Sequence, residues 1–527
     1  LSHPGRDTGF VGGTEVVAAS SVTFEPWYEA GAALPKPLTI DEIHDLVDKY
    51  GQAALRCKKA GFDLVEVHGA GGCLPTNFLS PNDNQRNDMY GGSLHNRMRF
   101  LVEIVRSIKK YCGNNYPISI KLSIDDCEPN GIRVEETVEV AKVLEKEGVS
   151  MLNLMMGTHA VVYPSTGFYD INIYLSQAKQ IKDAVQIPCM VGLGVQTASL
   201  AESILESGQG DFIALAKQEI ADCNWPNKVK NNQEDDIRPC IKCLVGCTDN
   251  GIIGHHPIRC AVNPTVYKYY EDKYPQAKVV KNVAVIGAGP AVMEAVLTLV
   301  KRGHKVTVYE KGELGGKFKA LSTPPEKDTF MMFDRYLVSQ MKKYNIEVIN
   351  KEVKADDEFA ADTIILATGS TQIIPQIQGI EQEFVLQAED VLENQKELKG
   401  NVVVIGGGLV GTETCKYLGN QGAHVTLVEM KDNIADGIGA TFIGHMFAKL
   451  AEYQVDVKTS ETVKEIKNHE VVLSNTTVPC DYVVIAAGYK SRNELAEELS
   501  KKYDVKVVGD AASPRRILDA TAEAYRV

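Results

Sequence analysis

The sequence contains no run of about 20 apolar residues, so no segment is expected to cross a membrane as a helix. No basic stretch followed by an apolar one marks a secretory leader. There is no concentrated patch of Lys and Arg, and the formal net charge is −13. A nucleic-acid binder carries the opposite balance. Low-complexity tracts are absent. Cys415 has no Cys-x-x-Cys partner, which leaves a dithiol disulfide-reductase mechanism unsupported. Cysteine itself is not scarce. Of 12 cysteines, eight are scattered singly and four are bunched between positions 240 and 260. Bunched cysteines in a chain this long favour metal or redox use over a disulfide framework, and point to a reducing, cytoplasmic setting.

What is present is ordinary globular material: 527 residues, 44 % hydrophobic and 24 % charged. That length suggests three or four domains, each with its own core. Residues 1–235 alternate short apolar runs with amphipathic helical stretches. The runs are Phe62–Val67, Ile118–Leu122, Met151–Met156, Pro188–Val191 and Phe212–Leu215. The helical patterns include Ile40–Ala60, Asn96–Tyr111 and Val134–Glu147. Such alternation predicts parallel strands with helical crossovers, and Gly residues after the strand ends fit a (β/α) barrel. With the segment before His3, about six βα units can be counted. An open six-stranded sheet exposes two long edges, so two N-terminal units are expected to be missing from the chain. The fold class expected is therefore α/β: an N-terminally incomplete (β/α)8 barrel over 1–235, a cysteine-rich segment over 236–275, and two Rossmann-like domains. The first of these runs over 276–395 and resumes at 501–527, and the second occupies 396–500.

Three signals carry chemistry. Cys240-x2-Cys243-x3-Cys247-x12-Cys260 offers four soft ligands, three in one loop and one returning beyond a turn. That spacing favours a [4Fe–4S] cluster. The alternatives are structural zinc, which more often pairs its cysteines as two Cys-x-x-Cys units, and unligated thiols. Gly287-Ala288-Gly289-Pro290-Ala291-Val292 follows the strand Val283–Ile286, with Glu310 closing the next strand. A glycine turn lets the backbone approach a pyrophosphate, and an acid can accept from a ribose diol. Val292 stands where a third glycine is usual, which leaves a chance turn as the alternative. Thr368-Gly369 and Gly509-Asp510, each closing a later apolar strand, reduce it. Gly406-Gly407-Gly408-Leu409-Val410-Gly411 follows the strand Val402–Ile405 with all three glycines in place, and Glu429 ends the next strand. An acid there favours NADH over NADPH, tempered by the nearby Lys431. Two such motifs in one chain predict FAD and a nicotinamide side by side.

Taken with Leu1-Ser2-His3-Pro4-Gly5-Arg6, Val65-Glu66-Val67-His68-Gly69-Ala70 and Phe78-Leu79-Ser80-Pro81 through Arg86, Asp88, Tyr90-Gly91-Gly92-Ser93 and Asn96-Arg97, these features resemble one family. It is the Old Yellow Enzyme-type group of 2,4-dienoyl-CoA reductase, trimethylamine dehydrogenase and the enoate and bile-acid flavin oxidoreductases. The resemblance covers essentially the whole chain. It implies FMN in the barrel, the cluster at the four cysteines, FAD on the first nucleotide domain and NAD(P)H on the second. It places Lys121 against the flavin N1/O2 edge, with a buried Lys paired to a carboxylate such as Asp125 as the alternative. It places His3 at the flavin edge. Gly192, Gly194, Ala216 and Lys217 match the loops that hold the FMN phosphate, with Ala-Lys where the family has Gly-Arg.

The substrate pocket departs from the family pattern. Where it has His-x-x-His or His-x-x-Asn and then a tyrosine, this chain reads His68-Gly69-Ala70-Gly71-Gly72-Cys73-Leu74. His68 retains a carbonyl donor, or serves as a barrel-end histidine satisfied by backbone. Gly71 removes the second donor. Cys73 replaces the tyrosine as an acid, or is an inert filler. His159 is expected as proton donor, with Cys73 second and Tyr163 third. The expected reaction is reduction of the C=C bond of a small α,β-unsaturated carbonyl along NADH, FAD, [4Fe–4S], FMN and substrate. The alternatives are a diaphorase with a degenerate barrel site, the reverse dehydrogenase, and a zinc protein without redox activity. Assembly into a homo-oligomer is implied by the family.

Overall fold

The computed structural model describes residues 1–11, 15–22, 33–158, 170–268 and 271–527. It divides into two compact units, Leu1–Ala216 and Lys217–Val527.

The first unit is built on a five-stranded parallel sheet. Its strands lie in chain order: Val65–Gly69, Ile118–Ser123, Met151–Met155, Cys189–Val191 and Phe212–Ile213. Each of the five apolar runs yields one strand. Helix Ile40–Lys59 leads into the first strand, and Arg99–Cys112, Val134–Lys146, Ile171–Ala184 and Ala198–Glu206 are the crossovers. The first is opened by a capping box, in which the Thr39 side chain accepts from Glu42 N while the Glu42 carboxylate accepts from Thr39 N. Leu1 lies alongside the first strand: its nitrogen donates to Glu66 O at 2.5 Å, and Leu1 O accepts from His68 N at 2.8 Å. A short parallel pair, Val17–Ala18 with Lys36–Pro37, lies outside the main sheet.

The second unit holds two five-stranded parallel sheets. The first orders Glu347–Asn350, Lys305–Glu310, Asn282–Ile286, Thr363–Leu366 and Asp504–Val507. The chain therefore does return to this sheet after Asp504. The second orders Val385–Gln387, Tyr482–Ile485, Asn401–Ile405, His424–Val428 and Asp456–Lys458. Between them the chain crosses twice, through the antiparallel pair Ser370–Gln372 and Tyr489–Ser491. Helices Pro290–Lys301 and Leu409–Asn420 follow the two glycine turns. Val292 is fully buried in the core behind the first turn, so a valine serves the packing role usual for the third glycine. No helix among the described residues is long and apolar enough to cross a membrane.

Candidate active and cofactor-binding sites

In the first unit, parallel register puts His68 beside Lys121, and Lys121 beside Asn153. Residues in register on neighbouring strands point to one face. That face is polar: the Glu66 carboxylate accepts from Ser119 Oγ at 2.9 Å and from Asn153 Nδ2 at 3.1 Å. One step along, His68 and Lys121 are half-buried, and beyond them Ser123 is buried. The Ser123 hydroxyl accepts from Gly71 N and donates to Gly157 O, both at 3.1 Å. This ties the His68–Cys73 loop to the segment that leads into residue 159. His159 and Tyr163 lie outside the described residues.

Cys73 is buried, and its sulfur accepts from Ser2 Oγ at 3.6 Å. Burial pushes its thiol up, against the pull of Ser2 and Lys121. His3 is held by backbone: its Nδ1 accepts from Gly5 N at 3.1 Å and its carbonyl accepts from Leu74 N at 2.9 Å. Burial pushes its imidazole down toward the neutral form. The loop around it is locked from below by residues that the sequence pattern did not single out for a role. Arg6 pairs with Asp83, its amide donates to Asn77 Oδ1 at 3.2 Å, and Asn77 Nδ2 donates to Gly72 O at 2.9 Å. Gly5 is required there: its φ is +61°, and an added Cβ would overlap the Asn77 side chain. Asp125, offered as an alternative partner for Lys121, instead pairs with Arg133 at 3.0 Å.

At the far end of the sheet, a Cβ on Gly192 would lie 2.6 Å from Ala214 Cβ, and Gly192 N donates to the Tyr174 hydroxyl at 3.2 Å. The loops after the last two strands therefore approach closely at Gly192. Gly194 has φ +75° and Ala216 is exposed. Lys217 opens the second unit and the helix Lys217–Ala221.

Lys217 lines a cavity with Cys240, Cys243, Cys247 and Cys260, closed by Ile220, Leu244 and Val262 among others. Lys242 and Leu244 take left-handed φ values of 53° and 56°, which folds the first three cysteines around one space. The fourth is brought back at Gly246. Arg259 N donates to Gly246 O at 3.0 Å, and a Cβ on Gly246 would sit 2.5 Å from the Arg259 carbonyl carbon and 3.0 Å from Cys260 N. The segment is fastened by Arg238, whose guanidinium pairs with buried Glu294 at 2.7 and 3.2 Å and donates to Val262 O. Burial pushes the Cys260 thiol up to about 12, and raises Cys240 and Cys243 as well. Thiols held neutral in this way ionise only when a metal supplies the compensating charge. Four cysteines lining one apolar space form a soft thiolate donor set of the kind that would hold an iron–sulfur cluster.

The two glycine turns are equally specific. Gly287 has φ +112°, and an added Cβ would lie 2.5 Å from Ala367 O. Gly406 has φ +108°, and a Cβ on Gly411 would overlap Gly406 O, 2.9 Å from its carbonyl carbon. Gly289 and Gly408 have open space on the Cβ side and precede their helices directly. Glu310 accepts from Gly312 N at 2.7 Å. Glu429 accepts from Gly407 N at 2.6 Å and from Lys431 N at 2.9 Å, while the Lys431 ammonium pairs with Asp436 at 2.6 Å. Thr368 donates to Arg492 O, Gly369 has φ +77°, Gly509 N donates to Glu523 at 2.9 Å, and Asp510 accepts from Ser370 Oγ at 3.1 Å.

This combination defines a flavin- and nicotinamide-dependent oxidoreductase, and the chain belongs to the NADH:flavin oxidoreductase / NADH oxidase family, which matches residues 12–236. Residues 281–512 match the pyridine nucleotide-disulphide oxidoreductases. Among relatives, an NADH oxidase of Thermoanaerobacter brockii is 38 % identical over 100 % of this chain and 83 % of its own length. A cinnamate reductase of Clostridium sporogenes is 33 % identical over 93 % of this chain and 78 % of its own. The solved structure of a 2-naphthoyl-CoA reductase complexed with 2-naphthoyl-CoA matches with a TM-score of 0.91 at 29 % identity, over 98 % of this chain and 80 % of that one. The enzyme is an NADH:flavin oxidoreductase of the group that contains the ene-reductases.

Proposed function

We propose that the enzyme reduces the C=C bond of a small α,β-unsaturated carbonyl compound with NADH. When bound, FAD supplies hydride acceptance, a [4Fe–4S] cluster one-electron relay, and FMN hydride delivery to the β-carbon. The observation that carries this reading is the convergence of Cys240, Cys243, Cys247 and Cys260 on one apolar cavity, in a chain that also has two dinucleotide turns.

Gly287 and Gly289 hold the FAD pyrophosphate at a helix start, Glu310 the ribose, and Thr368–Gly369 and Gly509–Asp510 the remainder. Gly406, Gly408 and Gly411 hold the NADH pyrophosphate, and Glu429 takes the ribose diol. Because Lys431 is engaged by Asp436, it is poorly placed to draw in a 2′-phosphate, which favours NADH over NADPH. In the barrel, Lys121 and His3 would stand at the FMN ring, while Gly192, Gly194 and Ala216 would hold its phosphate. His68 donates to the substrate carbonyl, where charge grows in the transition state. The buried Cys73 thiol keeps its proton at neutral pH, which suits it to donating rather than attacking. His159 is the first proposed donor to the α-carbon, with Cys73 and then Tyr163 behind it. The setting proposed is the cytoplasm, in a homo-oligomer.

The test is anaerobic NADH oxidation against cinnamate-like enoates, dienoyl-CoA, and steroid, bile-acid and isoflavone-type enones, with flavins released by acid and counted. Equal FMN and FAD with enone-dependent turnover is expected. FAD alone, with dye reduction but no enone turnover, would establish the diaphorase reading instead, which Gly71 favours by lacking a second carbonyl donor. His159→Ala should lower enone turnover far more than NADH-to-dye activity; equal loss defeats the assignment.

A further inference from the structure

We infer that Lys217 is an electrostatic component of the cysteine cage, placed to raise the reduction potential of the group bound there. This rests on reading the four cysteines as a cluster site. The family pattern alone would give Lys217 to a flavin phosphate. The geometry points to a second role.

Lys217 shares one apolar cavity with all four cysteines. Its register is fixed by its neighbour. Gln218 is buried, its Nε2 donates to Arg238 O at 2.9 Å, and its Oε1 accepts from Cys240 N at 2.9 Å. One side chain thus grips the chain on both sides of Pro239, and the residue before it is carried to the cage. Lys242 also lines the cavity and serves as the comparison for a cation at the same wall.

A cluster held by four thiolates gains one negative charge when it takes up one electron, with no bond made or broken. Net charge and exposure set such potentials, and a cation in a poorly solvated site favours the more negative state. Losing the ammonium therefore favours the oxidised form.

The experiment is an EPR-monitored redox titration of the full chain carrying Lys217→Met, Lys217→Gln, Lys217→Arg or Lys242→Met, with iron, sulfide and both flavins counted in each. Lys217→Met should lower the midpoint by at least about 59 mV, a tenfold change in the one-electron ratio. Lys217→Arg should stay near the parent value, and Lys242→Met should shift less. If the Met variant does not retain its cluster, Lys217→Gln gives the reading. An unmoved potential with intact iron overturns the inference, and FMN loss accompanying it would assign Lys217 to the phosphate alone. A parent protein without iron overturns this inference together with the reading beneath it.

Discussion

Replacing Gly246 by alanine adds one methyl group at the point where the cysteine segment closes on itself. Gly246 does not need a left-handed φ, so alanine carries no backbone strain of its own. The whole effect comes from contact. The new Cβ would lie 2.5 Å from the Arg259 carbonyl carbon and 3.0 Å from Cys260 N, and these are backbone atoms that cannot rotate away. Ordinary carbon contacts are about 3.5–4.0 Å. The return segment must therefore retreat by roughly 1 Å, and Cys260 retreats with it. Overpacking of this kind costs about 1–3 kcal/mol. Charged to the closed, ligating arrangement, that is a loss of roughly 5- to 150-fold in its population relative to the open one. The assay is iron and acid-labile sulfide per chain, together with visible absorbance, after anaerobic reconstitution at limiting iron. Gly444→Ala, whose Cβ meets nothing within 4 Å, is the control and should retain full iron. A Gly246→Ala protein that loads iron as readily as the control would refute the claim that this close approach builds the fourth corner of the cage.

Gly411→Ala should raise the KM for NADH by roughly 5- to 150-fold through the same overpacking cost of about 1–3 kcal/mol, because its Cβ meets the Gly406 peptide; unchanged NADH kinetics would remove the second turn from the nicotinamide site. Glu294→Leu should destabilise the second unit by about 3–5 kcal/mol, since it leaves the Arg238 guanidinium buried without its carboxylate; a thermal shift equivalent to less than about 1 kcal/mol counts against that pair as the fastening of the cysteine segment. Burial pushes the Asp126 carboxyl up to about 6, from an ordinary value near 3.8. The folded chain then holds a proton that the unfolded chain has released, so this contribution to stability is complete below about pH 4 and is lost as pH rises through about 6. Asp126→Asn should therefore flatten the fall in Tm between those values, by a free energy on the order of 2–3 kcal/mol; an unaltered slope shows that the titration belongs elsewhere.

Much of this architecture could be read from local pattern. The five apolar runs of the first unit became its five strands because alternation of strand and helix is written over short windows. Both glycine turns were readable because their conformations exclude a side chain outright, as at Gly287 against Ala367 and Gly411 against Gly406. The four cysteines were readable from spacing, but the device that returns Cys260 was not, since Gly246 matters only through a partner 13 residues away. Gln218 carries no pattern at all; its significance lies in two hydrogen bonds made 20 and 22 residues further on. The resemblance gives Lys217 one ligand, and spacing cannot show that Lys217 also lines the cavity of the four cysteines. Val292 looked like a defect in a motif because sequence spacing cannot show that the core behind the first turn has room for a valine.

The return of Asp504–Val507 to the first nucleotide sheet has a consequence for how the protein is made. One edge of that sheet is supplied by Asp504–Val507, and the entire second nucleotide domain is synthesised between that strand and its partner Thr363–Leu366. The first domain must therefore wait, its Thr363–Leu366 edge uncovered, while an inserted neighbour completes its own fold. Long separations of this kind slow assembly and expose strand edges to wrong partners. Synthesis stalled before residue 504 should leave a folded insert carried on an unfinished host.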